Sequence, residues 1–239
     1  MVKYDGFEIT SIGARCFNRW FLCRRSGLRY ISSPLDNADN KDEHEFANIL
    51  AFVKEGFSQI REDALEKNIQ RNAVNLETGK AMDYHGYTYV GDGLEGHFYL
   101  PHFFDVQESG MFLNDENGWA RWRHKVDLFM AMLADGKRKI VMSSSRAYHD
   151  TPETRKTLAG EMREFAGYLA SKYGRTPENT LVFSFIICEC DKVSVELDEP
   201  MAMQIAVPMR QEDYEAHTDL KLNWTNKFYQ DEFRKALGV

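Results

Sequence analysis

One stretch near the start of the chain decides the fold: Thr10-Ser-Ile-Gly-Ala-Arg-Cys-Phe-Asn-Arg-Trp20. Apolar residues before its glycine predict a strand, and Gly13 can adopt backbone angles that other residues avoid. From Cys16 onward the apolar residues fall on one helical face, and Gly27 stands where a C-terminal cap belongs. The stretch therefore predicts a strand, a glycine turn and a helix with a cysteine in its first turn.

Cys16 is the first candidate functional residue because its predicted position favours the thiolate. The positive end of the helix dipole, Arg15 and Arg19 all stabilise the anion, which is the nucleophilic form of the side chain. The alternative is a half-buried cysteine without a chemical role, which is the commoner fate of a cysteine. The sequence leaves both interpretations open.

Strands and helices alternate along the rest of the chain. Apolar runs predict strands near residues 7–12, 139–143, 180–188 and 202–207. The longest helix begins at Thr151-Pro152, with the threonine as N-cap and the proline in the first turn, and Gly174 ends it. This order predicts a single α/β domain over residues 1–239, built in three layers with a mostly parallel central sheet and helices on both faces.

Three segments between these elements are less regular. Residues 57–68 are predicted as a short helix. Residues 72–96 interleave tyrosines with glycines, which is typical of a hairpin or flap. Residues 97–104 are predicted as a strand or strand end that carries His102.

The composition excludes several classes of function. The 239 residues carry a net charge of −7, which argues against a nucleic-acid binder that relies on bulk charge. No apolar stretch approaches the roughly 18 residues of a membrane span, and the first residues lack the apolar run of a signal peptide. The 4 cysteines are too few for a disulfide scaffold, so a cytoplasmic protein with reduced thiols is expected.

Five sequence blocks, scattered over residues 9–146, share a pattern with a known family. They are Ser11-Ile12-Gly13-x-x-Cys16, Leu22-x-Arg24-x-x-Gly27-Leu28-Arg29, Ser33-Pro34-Leu35-Asp36, Leu100-Pro101-His102-Phe103-Phe104-Asp105, and Arg121-Trp122-Arg123 followed by Phe129. Together they resemble a bacterial family of unknown function whose members are described as papain-like cysteine peptidases. Leu35 and Asn37 stand where that family has Phe and Trp. The resemblance implies a cysteine–histidine site, whereas the order of elements is the basis for the predicted fold.

A cysteine hydrolase needs a thiolate and a histidine that shuttles protons. Among the 7 histidines, His102 is the best partner for Cys16, because it follows a rigid proline at a predicted strand end and matches the family block. His97 and His149 are the runners-up. The leading hypothesis is therefore a hydrolase or acyl transferase with Cys16 as nucleophile and His102 as base, acting on a small-molecule, glycan or peptide substrate.

A third group must orient the imidazole, and two carboxylates are candidates. Asp36 lies in the family-like Pro-x-Asp segment, although a loop cap is at least as good an interpretation, and Asp105 follows His102 in its block. Backbone amides between Gly13 and Phe17 would form the oxyanion hole.

The runner-up hypothesis is a transferase or binding protein of bacterial surface-glycan metabolism in which Cys16 is structural. Helix N-terminal amides and arginines would hold an anionic sugar or nucleotide. The residues of this site would be Gly13, Arg15, Arg123 and Arg146. Arg146 ends a serine run that directly follows a predicted strand, where α/β sheets place their ligand contacts. A third hypothesis is a non-catalytic remnant of the fold that acts as an interaction partner.

Neither a metal nor a cofactor is predicted. The acidic residues and histidines near 97–108 match no strong metal-binding spacing. The single glycine of the opening turn is not the G-x-G-x-x-G fingerprint of dinucleotide binding.

Overall fold

The structure is a computed structural model that describes residues 4, 6–13, 18–36, 39–40, 44–74, 81–90, 98–101, 116–147, 151–210 and 227–239. The strands are β1 Glu8–Gly13, β2 Arg29–Ile31, β3 Asp39–Asn40, β4 Leu65–Val74, β5 Ala81–Tyr89, β6 Phe98–Pro101, β7 Ile140–Ala147, β8 Thr180–Cys188, β9 Ser194–Glu199 and β10 Ala202–Pro208. The α-helices are α1 Glu45–Lys54, α2 Glu116–Ala134, α3 Pro152–Tyr173 and α4 Lys227–Leu237. Shorter helical segments are the π-helix Asn18–Leu22 and the 3-10 helices Cys23–Arg25 and Glu62–Ala64.

The larger sheet has six strands in the order β2-β1-β7-β8-β10-β9. Strands β2, β1, β7, β8 and β10 run parallel to one another, and β9 pairs antiparallel to β10 at the edge. All residues of β8 are buried, as its unbroken apolar run predicts for a central parallel strand. The predicted α/β class with a mostly parallel sheet is confirmed, and residues 180–188 share that sheet with β1.

The side chains of β8 alternate between two core clusters because successive residues of a strand point to opposite faces. Val182 and Ile186 pack in the cluster that also contains buried residues of α1, α2 and α3. Phe183 and Phe185 pack on the other side against Phe233 of α4, with ring centroids 5.3 and 5.4 Å apart. The sheet thus separates two apolar cores.

The ends of the long helices are fixed by specific side chains. The Thr151 hydroxyl accepts a hydrogen bond from the Thr154 amide at 3.1 Å, and Gly174 closes α3 in the left-handed conformation, both as predicted. Arg175, only 2 % exposed, follows directly. Its guanidinium donates to the carbonyls of Met132, Leu133 and Arg138 at 2.6–3.0 Å. It therefore satisfies carbonyls that the C-terminal end of α2 leaves without helical partners.

The predicted helix over residues 57–68 is wrong. Gly56 and Phe57 both have left-handed φ angles, 57° and 61°, which end α1 and prevent a helix from continuing. The chain instead forms the 3-10 helix Glu62–Ala64 and enters β4, which pairs antiparallel with β5. Strands β3, β6, β5 and β4 form a second sheet, in that order. The pairing with β5 supplies the backbone hydrogen bonds that decide the conformation of this segment.

Candidate functional site

The candidate site lies where β1 and β7 end side by side, at the carboxyl edge of the parallel sheet. Such edges are where α/β proteins bind their ligands. The register shifts between Ser11 and Gly13, so that Gly13 pairs with Ser144. Gly13 has a φ of 152°, and a Cβ there would lie 2.8 Å from Glu45 Oε1. The strand end therefore requires glycine for two reasons, backbone angle and space.

The Asn18 side chain, five residues after Gly13, forms hydrogen bonds with both β1 and β7. Its side-chain amide donates to the Ser143 carbonyl at 2.6 Å, to Ser11 Oγ at 3.0 Å and to the Gly13 carbonyl at 3.3 Å. Its Oδ1 accepts a hydrogen bond from Ser143 Oγ at 3.0 Å. Asn18 is fully buried, and it is the first residue of the π-helix. Short π-helical segments are frequent at functional sites. Gly13 and Asn18, the described residues on either side of positions 14–17, are thus both fixed by buried contacts.

Cys23 follows in the same buried network and is a structural thiol. Its Sγ lies 3.5 Å from Asn18 Oδ1, to which it donates. Burial raises the pKa of the Cys23 thiol far above its ordinary value, and the negative charge of Asp36 raises it further. The Cys23 side chain is therefore protonated and shielded from reagents at neutral pH.

Asp36 lies in the turn next to β1 and is 2 % exposed. Its carboxylate accepts hydrogen bonds from the Tyr30 and Ser32 hydroxyls and from the Ser33 amide at 3.0 Å. Arg19 Nε lies 3.7 Å away and supplies the opposite charge. Burial raises the pKa of Tyr30, and the Asp36 charge adds to this. These contacts favour the loop-capping interpretation of Asp36 over that of an imidazole orienter.

The Asp36 turn is joined to the candidate site by one further bond. The Ser33 hydroxyl donates to the carbonyl of Ser11, in the strand that ends at Gly13. The turn thus lies beside the end of β1.

Glu45 provides a second buried carboxylate on the opposite face of the sheet. It begins α1, is 1 % exposed, accepts a hydrogen bond from the Ser144 hydroxyl and lies 3.5 Å from Arg146 Nη1. Its carboxylate also packs against Gly13. Sequence reasoning missed Glu45 because it stands in the charged run Asp42-Glu43-His44-Glu45, which has the pattern of a solvated helix start.

The structure brings some of the predicted site residues together. Gly13 and Arg146 meet through Glu45, and Asp36 is linked to the same strand end through Ser33. Arg123 is exposed on α2. The residues Cys16, His102, Asp105, Arg15, His97 and His149 lie outside the described residues.

The strand that precedes His102 requires a correction. Cys16 and His102 are both expected just beyond strand ends, and one parallel sheet would gather these ends at one edge. This is wrong, because β6 belongs to the antiparallel sheet and pairs with β3 and β5. Strands β3 and β6 are antiparallel, and their register pairs Asp39 with Tyr99 and Asn40 with Phe98. Strand β6 therefore runs toward the first residue of β3, which is the end nearer in sequence to the Asp36 turn. Pro101, the last residue of β6, is therefore on the side of that turn.

Comparisons of the chain with protein-family models, with curated proteins and with solved structures found no match. Among the helices that the structure describes, none is long and apolar enough to cross a membrane. The described residues contain no group of three or more histidine, cysteine, aspartate or glutamate side chains placed to hold a metal ion.

Proposed function

We propose that the protein is a papain-like thiol hydrolase or acyl transferase with Cys16 as nucleophile and His102 as base. The observation that carries this proposal is the fixed placement of the two described residues on either side of the segment that contains Cys16. Gly13 and Asn18 flank it, and both are fixed by buried hydrogen bonds or close packing at the carboxyl edge of the parallel sheet. A nucleophile needs such support, because a small displacement of the reacting atom costs a large part of the rate.

Two further observations, a strand register and a hydrogen bond, support a histidine partner from the second sheet. The register of β3 and β6 directs the end of β6, one residue before His102, toward the Asp36 turn. The Ser33 hydroxyl joins that turn to the strand that ends at Gly13. A base carried by the residue after Pro101 would thus approach from the turn side of β1.

In the proposed reaction the Cys16 thiolate attacks an acyl carbonyl, and the carbonyl electrons move to oxygen. When the tetrahedral intermediate collapses, the bond to the leaving group breaks and the His102 imidazolium gives that group its proton, which leaves a thioester on Cys16. Water or an acceptor alcohol or amine then attacks the thioester while His102 removes its proton. Collapse releases the acyl product and restores the thiolate.

The anion-binding alternative has less support from the charges at this edge. Arg146 is compensated by Glu45, and Arg19 by Asp36, so that two carboxylates balance two guanidinium groups. An anionic ligand would have to compete with these carboxylates, one of which is buried against Gly13. The thiol chemistry also suits a reducing, cytoplasmic setting, and Cys23, Cys188 and Cys190 are free thiols.

The experiment is the pH dependence of iodoacetamide labelling at each cysteine, read by mass spectrometry. Cys16 is expected to label at a pH well below the ordinary thiol pKa of about 8.5. Replacing His102 with glutamine is expected to move the Cys16 profile up toward that ordinary value. The matched control is His124→Ala, which removes an exposed histidine of α2 and should leave the profile unchanged.

The acyl-transfer step is tested with p-nitrophenyl acetate. The wild-type protein is expected to release a burst of nitrophenolate and to gain one acetyl group at Cys16, and Cys16→Ala should abolish both. The proposal fails if Cys16 labels only near the ordinary thiol pKa of about 8.5, if His102→Gln leaves its profile where it was, or if no acetyl group forms on Cys16.

A further inference from the structure

A second surface lies at the opposite end of the parallel sheet from Gly13, the last residue of β1. Strands β1, β2 and β7 begin there around an open cleft of about 990 Å³. Its lining residues are Gly6, Phe7, Glu8, Gly27, Leu28, Arg29, Lys137, Arg138 and Lys139. A cleft of this volume is of the size that holds small-molecule ligands.

The charge of the cleft is opposite to that of the protein. Its lining includes the four cationic residues Arg29, Lys137, Arg138 and Lys139 and the single acidic residue Glu8, in a chain whose net charge is −7. Cations collected in a concave surface reinforce one another and attract anions from solution. The composition of the whole chain hides this local reversal.

Two of the cations form ion pairs with Glu8. Arg138 Nη2 lies 2.6 Å from Glu8 Oε2 and its Nε donates to the same oxygen at 2.7 Å, while Arg29 Nη1 lies 3.1 Å from Oε1. The carboxylate therefore orients the Arg138 guanidinium, whose side chain is 33 % exposed, whereas the Arg29 side chain is 80 % exposed and has only a surface ion pair. Arg138 offers donors that are oriented before any ligand arrives, which lowers the entropy cost of binding.

Glu8 balances only one of the four positive charges of the lining, and the two lysines contribute to the excess. Both are exposed, and within the described part of the chain neither forms an ion pair with a carboxylate. The Lys139 ammonium lies 5.8 Å from the centre of the Phe7 ring, a contact that keeps it over the cleft. Two ammonium groups beside two guanidinium groups match a compact, doubly charged anion with several acceptor oxygens, as in a phosphate ester.

We propose that this cleft binds a phosphate-bearing small molecule, at a site separate from the thiol chemistry at Cys16. Lys137 and Lys139 supply charge for the phosphate, and Arg29 and Arg138 supply further donors. An acidic peptide is a poorer fit, because an extended chain gains little from a concave site.

The test is calorimetric titration of the full chain with inorganic pyrophosphate. The wild-type protein is expected to bind pyrophosphate in the submillimolar range at about 0.1 M salt. Binding should be much weaker at about 1 M salt, where the Debye length falls from about 10 Å to about 3 Å. The double variant Lys137→Glu and Lys139→Glu is expected to bind at least about tenfold more weakly, which is about 1.4 kcal/mol.

The matched control is Lys172→Glu, which alters an exposed lysine on α3, away from the cleft. It should bind pyrophosphate as the wild type does, and so should Cys16→Ala, which removes the proposed nucleophile. The proposal is overturned if pyrophosphate does not bind, if Lys172→Glu weakens binding as much as the double variant, or if hexaglutamate binds more tightly than pyrophosphate. Because both lysines are exposed, the variants are expected to fold, and circular dichroism checks this.

Discussion

Replacing Asn18 with alanine removes the side chain that joins the ends of β1 and β7. Three of its hydrogen bonds are short, at 2.6 Å to the Ser143 carbonyl, 3.0 Å to Ser11 Oγ and 3.0 Å from Ser143 Oγ. Each such bond contributes a net stabilisation of about 1 kcal/mol, and the longer contacts to Gly13 and Cys23 add less. We expect Asn18→Ala to lower the free energy of unfolding by about 3 kcal/mol, and Tm by roughly 6–12 °C for a domain of this size.

The assay is urea denaturation followed by tryptophan fluorescence, in which an unchanged slope identifies a true loss of stability. The isosteric control is Asn18→Asp, which keeps the volume but turns an acceptor oxygen toward the Ser143 carbonyl. Burial of the new carboxyl raises its pKa in the folded state. Its stability deficit should therefore be smallest at acid pH and should grow as the pH rises above about 3.9, the ordinary value of an aspartate.

The Asn18 variants also test whether the buried contacts of Asn18 support the proposed chemistry of Cys16. If Asn18 supports the segment that contains Cys16, Asn18→Ala should also change the pH profile of Cys16 labelling under conditions where the protein is folded. The reasoning is refuted if Asn18→Ala loses less than about 1 kcal/mol, the contribution of a single hydrogen bond, or if Asn18→Asp is as stable as the wild type at neutral pH.

Three further predictions concern stability. Gly13→Ala should cost about 2–4 kcal/mol in urea denaturation, since the new Cβ meets Glu45 at a strained φ, whereas Gly136→Ala, where a Cβ meets nothing within 4 Å, should be near neutral. Arg175→Met should cost about 4 kcal/mol by leaving helix-end carbonyls unsatisfied, and lysine should recover less than half in the same assay. Burial raises the pKa values of Cys23 and Tyr30 above their ordinary values, so their contribution to stability is complete below about pH 8.5, the ordinary thiol pKa, and is lost as the pH rises further. Unfolding free energies across the alkaline range should therefore decline less steeply in the double variant Cys23→Ala and Tyr30→Phe; an equal decline would exclude these groups as the cause.

Local patterns in the sequence were sufficient for much of the larger sheet. The threonine cap and glycine stop of α3 act within a few residues of the helix they bound, so the sequence alone places that helix. The apolar run of β8 is long enough to identify a strand buried on both faces. Together with the glycine turn after β1, these signals predict parallel strands in one sheet.

Only the tertiary structure decided where the second sheet begins and how the candidate site is constructed. Residues from 65 onward become a strand because β5 pairs with them, and the three-residue β2 exists only beside β1. The Asn18 side chain contacts Ser143 across 125 residues of sequence, and Glu45 contacts Ser144 across 99. A buried amide or carboxylate is tolerated only where partners satisfy it, and those partners are brought to it by the fold, so no local pattern marks either residue in advance.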